Sequence, residues 1–241
     1  MIGLVTGASQ GLGLELVTMG LEKGYQMVAG FLDIPDEDKK LKELKKQYQE
    51  QLFMIAMDVT DEEAVNRASQ KFKEHFDHLD FIVNNAGVLL ESKYDTYDPI
   101  KELDIRMFRK TLEVNTVGPA IVLKAFIPYI YKAQGPCIIN ISSEAGHLGP
   151  GGYAYMAYSV SKHAINMYSQ KIRNFLAETP GKEHIRLYMV HPGRMQTLMG
   201  KENAQILPKE SAEGIYKIIE KTMNPTLEVP FINYKGEQMP Y

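Results

Sequence analysis

The sequence predicts an α/β fold: a doubly wound parallel sheet of Rossmann type with helices on both faces, in a single domain spanning residues 1–241. Three observations carry that prediction. Short apolar runs alternate with segments of helical periodicity, the pattern of strands buried on both sides and covered by helices. The first run leads directly into a glycine-rich turn and then a helix. A chain of 241 residues with 44% apolar and 24% charged residues also suits one sizeable core.

Residues 1–6 form the first strand, ending at Thr6, and Gly7, Ala8, Ser9, Gln10, Gly11, Leu12 and Gly13 follow. Leu12, Leu16 and Val17 then recur at helical spacing until Gly24 stops the helix. Strand, glycine-rich turn and helix is the setting of a dinucleotide fingerprint. Its glycines let the backbone approach a pyrophosphate at the positive end of the helix. Residues 26–32 are the second strand, at whose end an acid holds a ribose 2′-hydroxyl or a base a 2′-phosphate. The chain offers Leu32 and then Asp33, with no Lys or Arg before Lys39, so this reading favours NAD(H) over NADP(H).

Residues 36–51 read as a charged amphipathic helix with Leu41, Leu44 and Tyr48 turned inward. The third strand, 52–57, ends at Asp58, a candidate acceptor for an adenine amino group, while Thr60 or Asp61 is placed to cap helix 62–76. A fourth strand, 79–83, delivers Asn84, Asn85, Ala86 and Gly87. Helical periodicity then runs from about Asp104 to Lys132, with a kink expected at Gly118-Pro119. Asn115 falls inside it, where asparagine is a poor helix former. A buried amide holding a water and a core amide with all its bonds made are both open readings.

The fifth strand, 137–141, carries Ser142 and Ser143 to the carboxyl edge of the sheet, where ligands bind in such folds. A long helix over 152–176 carries Tyr158 and Lys162, and a sixth strand, 185–190, leads to His191, Pro192 and Gly193. Residues 194–207 read as a substrate loop, 208–223 as the last helix, and 231–241 as a final strand and anchor. Tyr158 and Lys162 are four residues apart, so on a helix they share one face. An ammonium beside a phenol favours the phenolate, although bringing a free Tyr to neutrality takes ~3 units, or ~4 kcal/mol. Tyr97 and Lys101 have the same spacing in a polar loop, so the spacing alone decides nothing.

Other function classes are excluded by composition. A net charge of −3 gives no electrostatic footprint for nucleic acid. The longest uncharged run, Ala145 to Ser161, holds Gly, Pro, Ser and Tyr and is not a membrane span. The chain opens directly on a strand, so no targeting segment is expected. Cys137 is the single cysteine, in apolar surroundings that suit an inert thiol, and the six histidines are too scattered for a metal site. These features point to a cytoplasmic protein.

In these residues the chain resembles the short-chain dehydrogenase/reductase family in its compact single-domain branch. Thr6-Gly7 with Gly11 and Gly13, Asn84 to Gly87, Asn115, a serine, Tyr158 with Lys162, and Pro192-Gly193 stand in the family's order and roughly its spacing, over nearly the full length. The resemblance implies an NAD(P)-dependent oxidoreductase acting on a carbonyl or a secondary alcohol. In it Tyr158 is the acid/base, Lys162 lowers its pKa and holds the nicotinamide ribose, and Asn115 holds a relay water. Ser143, preferred to Ser142 because Gly146 completes a Ser-x-x-Gly pattern, orients the substrate. The implied cofactor contacts are Gly7, Ser9, Gln10, Gly11, Leu12, Gly13, Asp33, Asp58, Val59, Asn85, Ala86, Gly87, Tyr158, Lys162, Pro192, Gly193, Met195 and Thr197.

The segment from His191 to Gly200 and the ending from Phe231 to Tyr241 resemble C-factor-like and sniffer-like carbonyl reductases, many of which carry an arginine where this chain has Leu32. A largely apolar substrate pocket is expected from Leu89, Leu90, Leu148, Tyr153, Tyr155, Met195, Leu198 and Met199. The family's habit of pairing through long helices implies a homodimer or homotetramer. The competing reading is a non-catalytic dinucleotide-binding signalling protein on the same fold, since fold does not dictate function.

Overall fold

The apolar runs become seven parallel strands: β1 (Ile2–Thr6), β2 (Gln26–Phe31), β3 (Leu52–Ala56), β4 (Phe81–Asn84), β5 (Cys137–Ile141), β6 (Arg186–His191) and β7 (Phe231–Asn233). They lie in the order β3-β2-β1-β4-β5-β6-β7. The computed structural model describes residues 1–32, 40–91, 98–149, 154–196, 204–225 and 227–241. Side chains alternate across the pleat, so Val5, Phe81, Val83, Cys137 and Ile139 enter one core while Leu4, Ile82 and Ile138 enter the other. Both faces are therefore buried, which is why these strands read as continuous apolar runs.

Helices cover each face. Leu12, Leu16 and Val17 of α1 (Gly11–Glu22), Leu41 of α2 (Lys40–Gln47) and Ile215 and Tyr216 of α7 (Pro208–Ile219) fill the first core. Val65 and Phe72 of α3 (Glu62–Lys73), Val122 and Phe126 of α5 (Gly118–Ile130) and Leu176 of α6 (Met156–Glu178) fill the second. Each fully buried Phe contributes about 2 kcal/mol relative to exposure. Asp61, rather than Thr60, caps α3, accepting from the amides of Glu63 and Ala64. Asp104 caps α4 (Ile105–Leu112) in the same way. Among the described residues no helix is long and apolar enough to cross a membrane.

The expected helix from Asp104 to Lys132 is not continuous. Between α4 and α5 lies a π-helical segment, Glu113–Val117, closed by a bond from the Gly118 amide to the Glu113 carbonyl. Its cause is legible: Pro119 has no N–H, so it cannot supply the bond an α-helix would direct at the Asn115 carbonyl. Strand order reverses between β1 and β4. All strands run the same way, so the segments after β1, β4, β5 and β6 emerge at one edge around this switch point. Crevices at such points are where open α/β sheets bind ligands.

Candidate active site

The turn after β1 is shaped by glycine. Gly7 has a φ of +64°, and a Cβ at Gly13 would stand 2.2 Å from the Gly7 carbonyl oxygen. Helix α1 begins there with Gln10 as its N-cap, makes no side-chain cap bond and has no acid in its first turn. Its leading N–H groups are thus offered to an anion. Ser9 is partly exposed and Gln10 exposed, whereas the Leu12 side chain is committed to the core.

The segment leaving β4 folds over this turn. Thr6 Oγ1 accepts from the amides of Asn85 and Ala86, both at 3.0 Å, and Asn85 Nδ2 donates to the carbonyls of Thr6 and Gly7 at 2.9 and 3.2 Å. A Cβ on Gly87 would lie 3.3 Å from Asn115 Oδ1 and 3.7 Å from Lys162 Nζ, which joins this segment to the second half of the site. After β3, Asp58 Oδ1 accepts from the amide and hydroxyl of Thr60, each at 2.8 Å. Burial pushes the Asp58 carboxyl up, but those bonds and the nearby Lys110 ammonium hold it below its ordinary value. Val59 is buried against Gly118. Asp33 and Thr197 lie outside the described residues.

Tyr158 and Lys162 sit one turn apart at the start of α6, with Lys162 Nζ 5.5 Å from the Tyr158 ring centroid. Nζ donates to the Ile141 carbonyl at 2.8 Å, and burial pushes the ammonium down to about 8. It stays mostly charged at neutral pH. Burial raises the Tyr158 phenol; a hydrogen bond with Ser143 pulls it back and the Glu144 carboxylate pushes it up again, for a net rise. Ser143 is also the N-cap of a one-turn 3-10 helix, Glu144–Gly146, with its Oγ 3.2 Å from the Ala145 amide. Ser142 is buried and donates to Asn166 Oδ1 at 2.6 Å. Of the two serines, Ser143 faces Tyr158. Gly146 lets the short helix lie against α6, since a Cβ there would meet the Lys162 carbonyl at 2.9 Å.

The Asn115 side chain is bonded to Val88 and Ser161. Oδ1 accepts from the Val88 amide and Nδ2 donates to the Val88 carbonyl, both at 2.8 Å, while Nδ2 also donates to Ser161 Oγ at 3.0 Å. Both amide protons are used, so the side chain ties Val88 to Ser161. Ser161 Oγ in turn donates to the Tyr158 carbonyl at 2.7 Å. Neither Ser161 nor Glu91 is singled out by the sequence. Glu91 accepts from the amides of Ala157 and Tyr158 at 2.9 and 2.8 Å, a pairing across 66 and 67 residues that no local pattern announces.

A cavity of about 350 Å³ is lined by Glu144, His191, Gly193, Arg194, Ile206 and Tyr234 among others. Arg194 Nε donates to Glu144 Oε1 at 2.6 Å, and His191 Nδ1 accepts from the Glu144 amide at 3.2 Å. Burial holds the His191 imidazole below its ordinary value, against the pull of the Glu144 carboxylate. Pro192 is buried, Gly193 has a φ of +85°, and Met195 packs on the first core. Leu148 is 75% exposed, and Tyr153, Leu198 and Met199 lie outside the described residues.

A family profile described as short chain dehydrogenase matches residues 2–207. The chain belongs to the short-chain dehydrogenase family. Its members are oxidoreductases, and the carbonyl-reductase branch is supported by two solved structures. One is the NADPH-bound carbonyl reductase from chicken fatty liver, 26% identical with a TM-score of 0.85, covering 99% of this chain and 98% of that one. The other is the carbonyl reductase Sniffer of D. melanogaster, 25% identical with a TM-score of 0.85 at the same coverage. Among the sequence relatives is the trans-4-hydroxycyclohexanecarboxylate dehydrogenase of Sinomonas cyclohexanicum, 31% identical over 82% of this chain and 73% of that protein.

The chicken structure overturns the expected preference for NAD(H) over NADP(H), because that relative carries NADPH. The physical fault lies in reading a binding pocket from sequence neighbours alone. Leu32 is neutral and 70% exposed, so it poses no electrostatic barrier to a 2′-phosphate. A cation for that phosphate can come from any element folded nearby.

Proposed function

We propose that this protein is an NADP(H)-dependent oxidoreductase that interconverts a carbonyl and a secondary alcohol, with Tyr158 as the acid/base. The observation that carries the reading is the grouping at one sheet edge of Tyr158, its hydrogen-bond partner Ser143 and the buried Lys162 ammonium 5.5 Å from its ring. The residues fit a dinucleotide: the turn is crowded at Gly7 and Gly13, and the start of α1 has no side-chain cap. Gly7, Ser9, Gln10, Gly11, Leu12 and Gly13 would hold its pyrophosphate through backbone amides. Asp58 and Val59 would hold the adenine, and Asn85, Ala86, Gly87, Tyr158, Lys162, Pro192, Gly193, Met195 and Thr197 the nicotinamide half. When bound, the cofactor supplies or accepts the hydride.

The protein's own groups manage the proton. Ser143 hydrogen-bonds the reacting oxygen, and Tyr158 Oη donates a proton to it in reduction or takes one in oxidation. Because burial holds Tyr158 protonated, the free site is set for donation. Oxidation needs the phenolate, which the Lys162 charge favours. Residues 194–196 and 204–207 would flank the substrate, tied together by bonds from the Gln196 amide to the Ile206 carbonyl and from the Gln205 amide to the Arg194 carbonyl. Exposed Val160, Met167 and Phe175 share a face of α6, and on this reading that face pairs with a second copy. Light scattering should return a dimer or tetramer mass, and a monomer would sink the pairing.

The decisive experiment titrates purified protein with NADPH and NADH, then measures turnover of benzil and nitrobenzaldehyde in wild type and Tyr158→Phe. We expect tighter NADPH binding, and a turnover loss of about 10²–10⁴-fold in the variant with binding retained. Undiminished turnover in Tyr158→Phe would refute the mechanism. Tight NADPH binding with no turnover of any carbonyl would instead indicate a binding protein.

A further inference from the structure

Helix α6 is unusual in how it starts. Its N-cap, Tyr155, is in the left-handed region at a φ of +61°, makes no side-chain cap bond, and no acid follows in the first turn. The leading N–H groups of a helix have no partner within it. Here two of them are satisfied from outside, by the two oxygens of Glu91: Oε1 on the Ala157 amide and Oε2 on the Tyr158 amide. A carboxylate at that end also faces the positive pole of the helix dipole.

The Tyr158 peptide is held from its other end as well. Its carbonyl accepts from Ser161 Oγ, Ser161 accepts from Asn115, and Asn115 grips both backbone groups of Val88. Val88 and Glu91 belong to the same short segment, whose beginning is bonded to Thr6 through Asn85 and Ala86. One stretch of chain therefore touches the dinucleotide turn at its start and Tyr158 at its end. We infer that Glu91 is a positioning residue that seats Tyr158, through paired hydrogen bonds to the first turn of α6, and so couples the Tyr158 backbone to the dinucleotide turn. This rests on the reading of Tyr158 as the acid/base.

The test uses Glu91→Ala, Glu91→Gln and Tyr158→Phe beside wild type. Hydrogen exchange needs no substrate: in Glu91→Ala the Ala157 and Tyr158 amides should exchange more than tenfold faster, while the rest of α6 keeps its protection. Unchanged exchange at those two amides would overturn the inference. In turnover of benzil with NADPH, Glu91→Ala should lower kcat about tenfold or more, with NADPH affinity held within about twofold. Its kcat–pH profile should also move, because a displaced phenol loses its contact with Ser143. Glu91→Gln keeps one acceptor oxygen and should recover part of both losses. A wild-type kcat and pH profile in Glu91→Ala, with Tyr158→Phe inactive, would overturn the positioning role alone. Activity surviving in Tyr158→Phe would mean that the acid/base reading itself had failed.

Discussion

The glycine turn after β1 and the Tyr158 centre lie at the same sheet edge but are made in opposite ways. Residues 7–13 are contiguous, and what they offer is backbone: glycines that permit a close approach and a helix start without a side-chain cap. The Tyr158 centre is assembled from four separate segments, the β4 outflow, the π-helical turn, the residues after β5 and the first turn of α6. It works through side chains whose charge states are set by burial. A backbone site can be written in seven consecutive residues, whereas a charge site depends on what the fold packs around it.

That contrast can be broken most sharply at Lys162. If its charge serves chemistry at a cost to the fold, Lys162→Met should lose most activity yet gain stability. The folded ammonium sits at about 8 against an unfolded value of about 10.5, so near neutral pH the fold carries a buried-charge cost on the order of 3 kcal/mol. Removing it also leaves the Ile141 carbonyl without its donor, worth about 1 kcal/mol, for a net gain of about 2 kcal/mol at pH 7. The sign follows from linkage: above the folded pKa the unfolded chain binds more protons than the native one. Wild-type stability therefore rises as pH climbs from about 8 towards 10.5, and the variant's advantage shrinks over that window. Urea unfolding across pH measures this, and a variant less stable than wild type at pH 7 would refute it.

A smaller effect is expected in the turn. Gly13→Ala places a Cβ 2.2 Å from the Gly7 carbonyl oxygen, a backbone atom that cannot swing aside. About 1–3 kcal/mol of stability should be lost, with no pH dependence of its own. NADPH binding should weaken in parallel, since the same displacement reshapes the turn; fluorescence titration reads it. Full NADPH affinity in Gly13→Ala would show that the pyrophosphate does not use this turn.

Much of the fold was legible because parallel strands buried on both faces leave continuous apolar runs, and surface helices leave a 3.6-residue period. The strands after β1, β4, β5 and β6 fell where those runs predicted, as did the one-turn spacing of Tyr158 and Lys162. Asn115 was noticed as out of place in a helix and, through the resemblance, as the holder of a relay water. Pro119 explains the π-helical segment around it, but no pattern says that its amide grips Val88. Glu91 left no trace, because a bond spanning 66 residues has no local period. The ion pair between Glu144 and Arg194 was equally hidden, because the side chains after Ser143 and Gly193 meet only once β5 and β6 lie side by side.

By itself the sequence determined the layer order, the glycine turn and the identity of the groups able to move a proton. Those depend on periodicity, on backbone freedom and on residue chemistry, all of which are local. The tertiary structure alone decided what holds the Tyr158 peptide at both ends, and in which direction burial shifts the phenol and the ammonium. Desolvation and long-range hydrogen bonds are properties of a packed environment, and an extended chain has none.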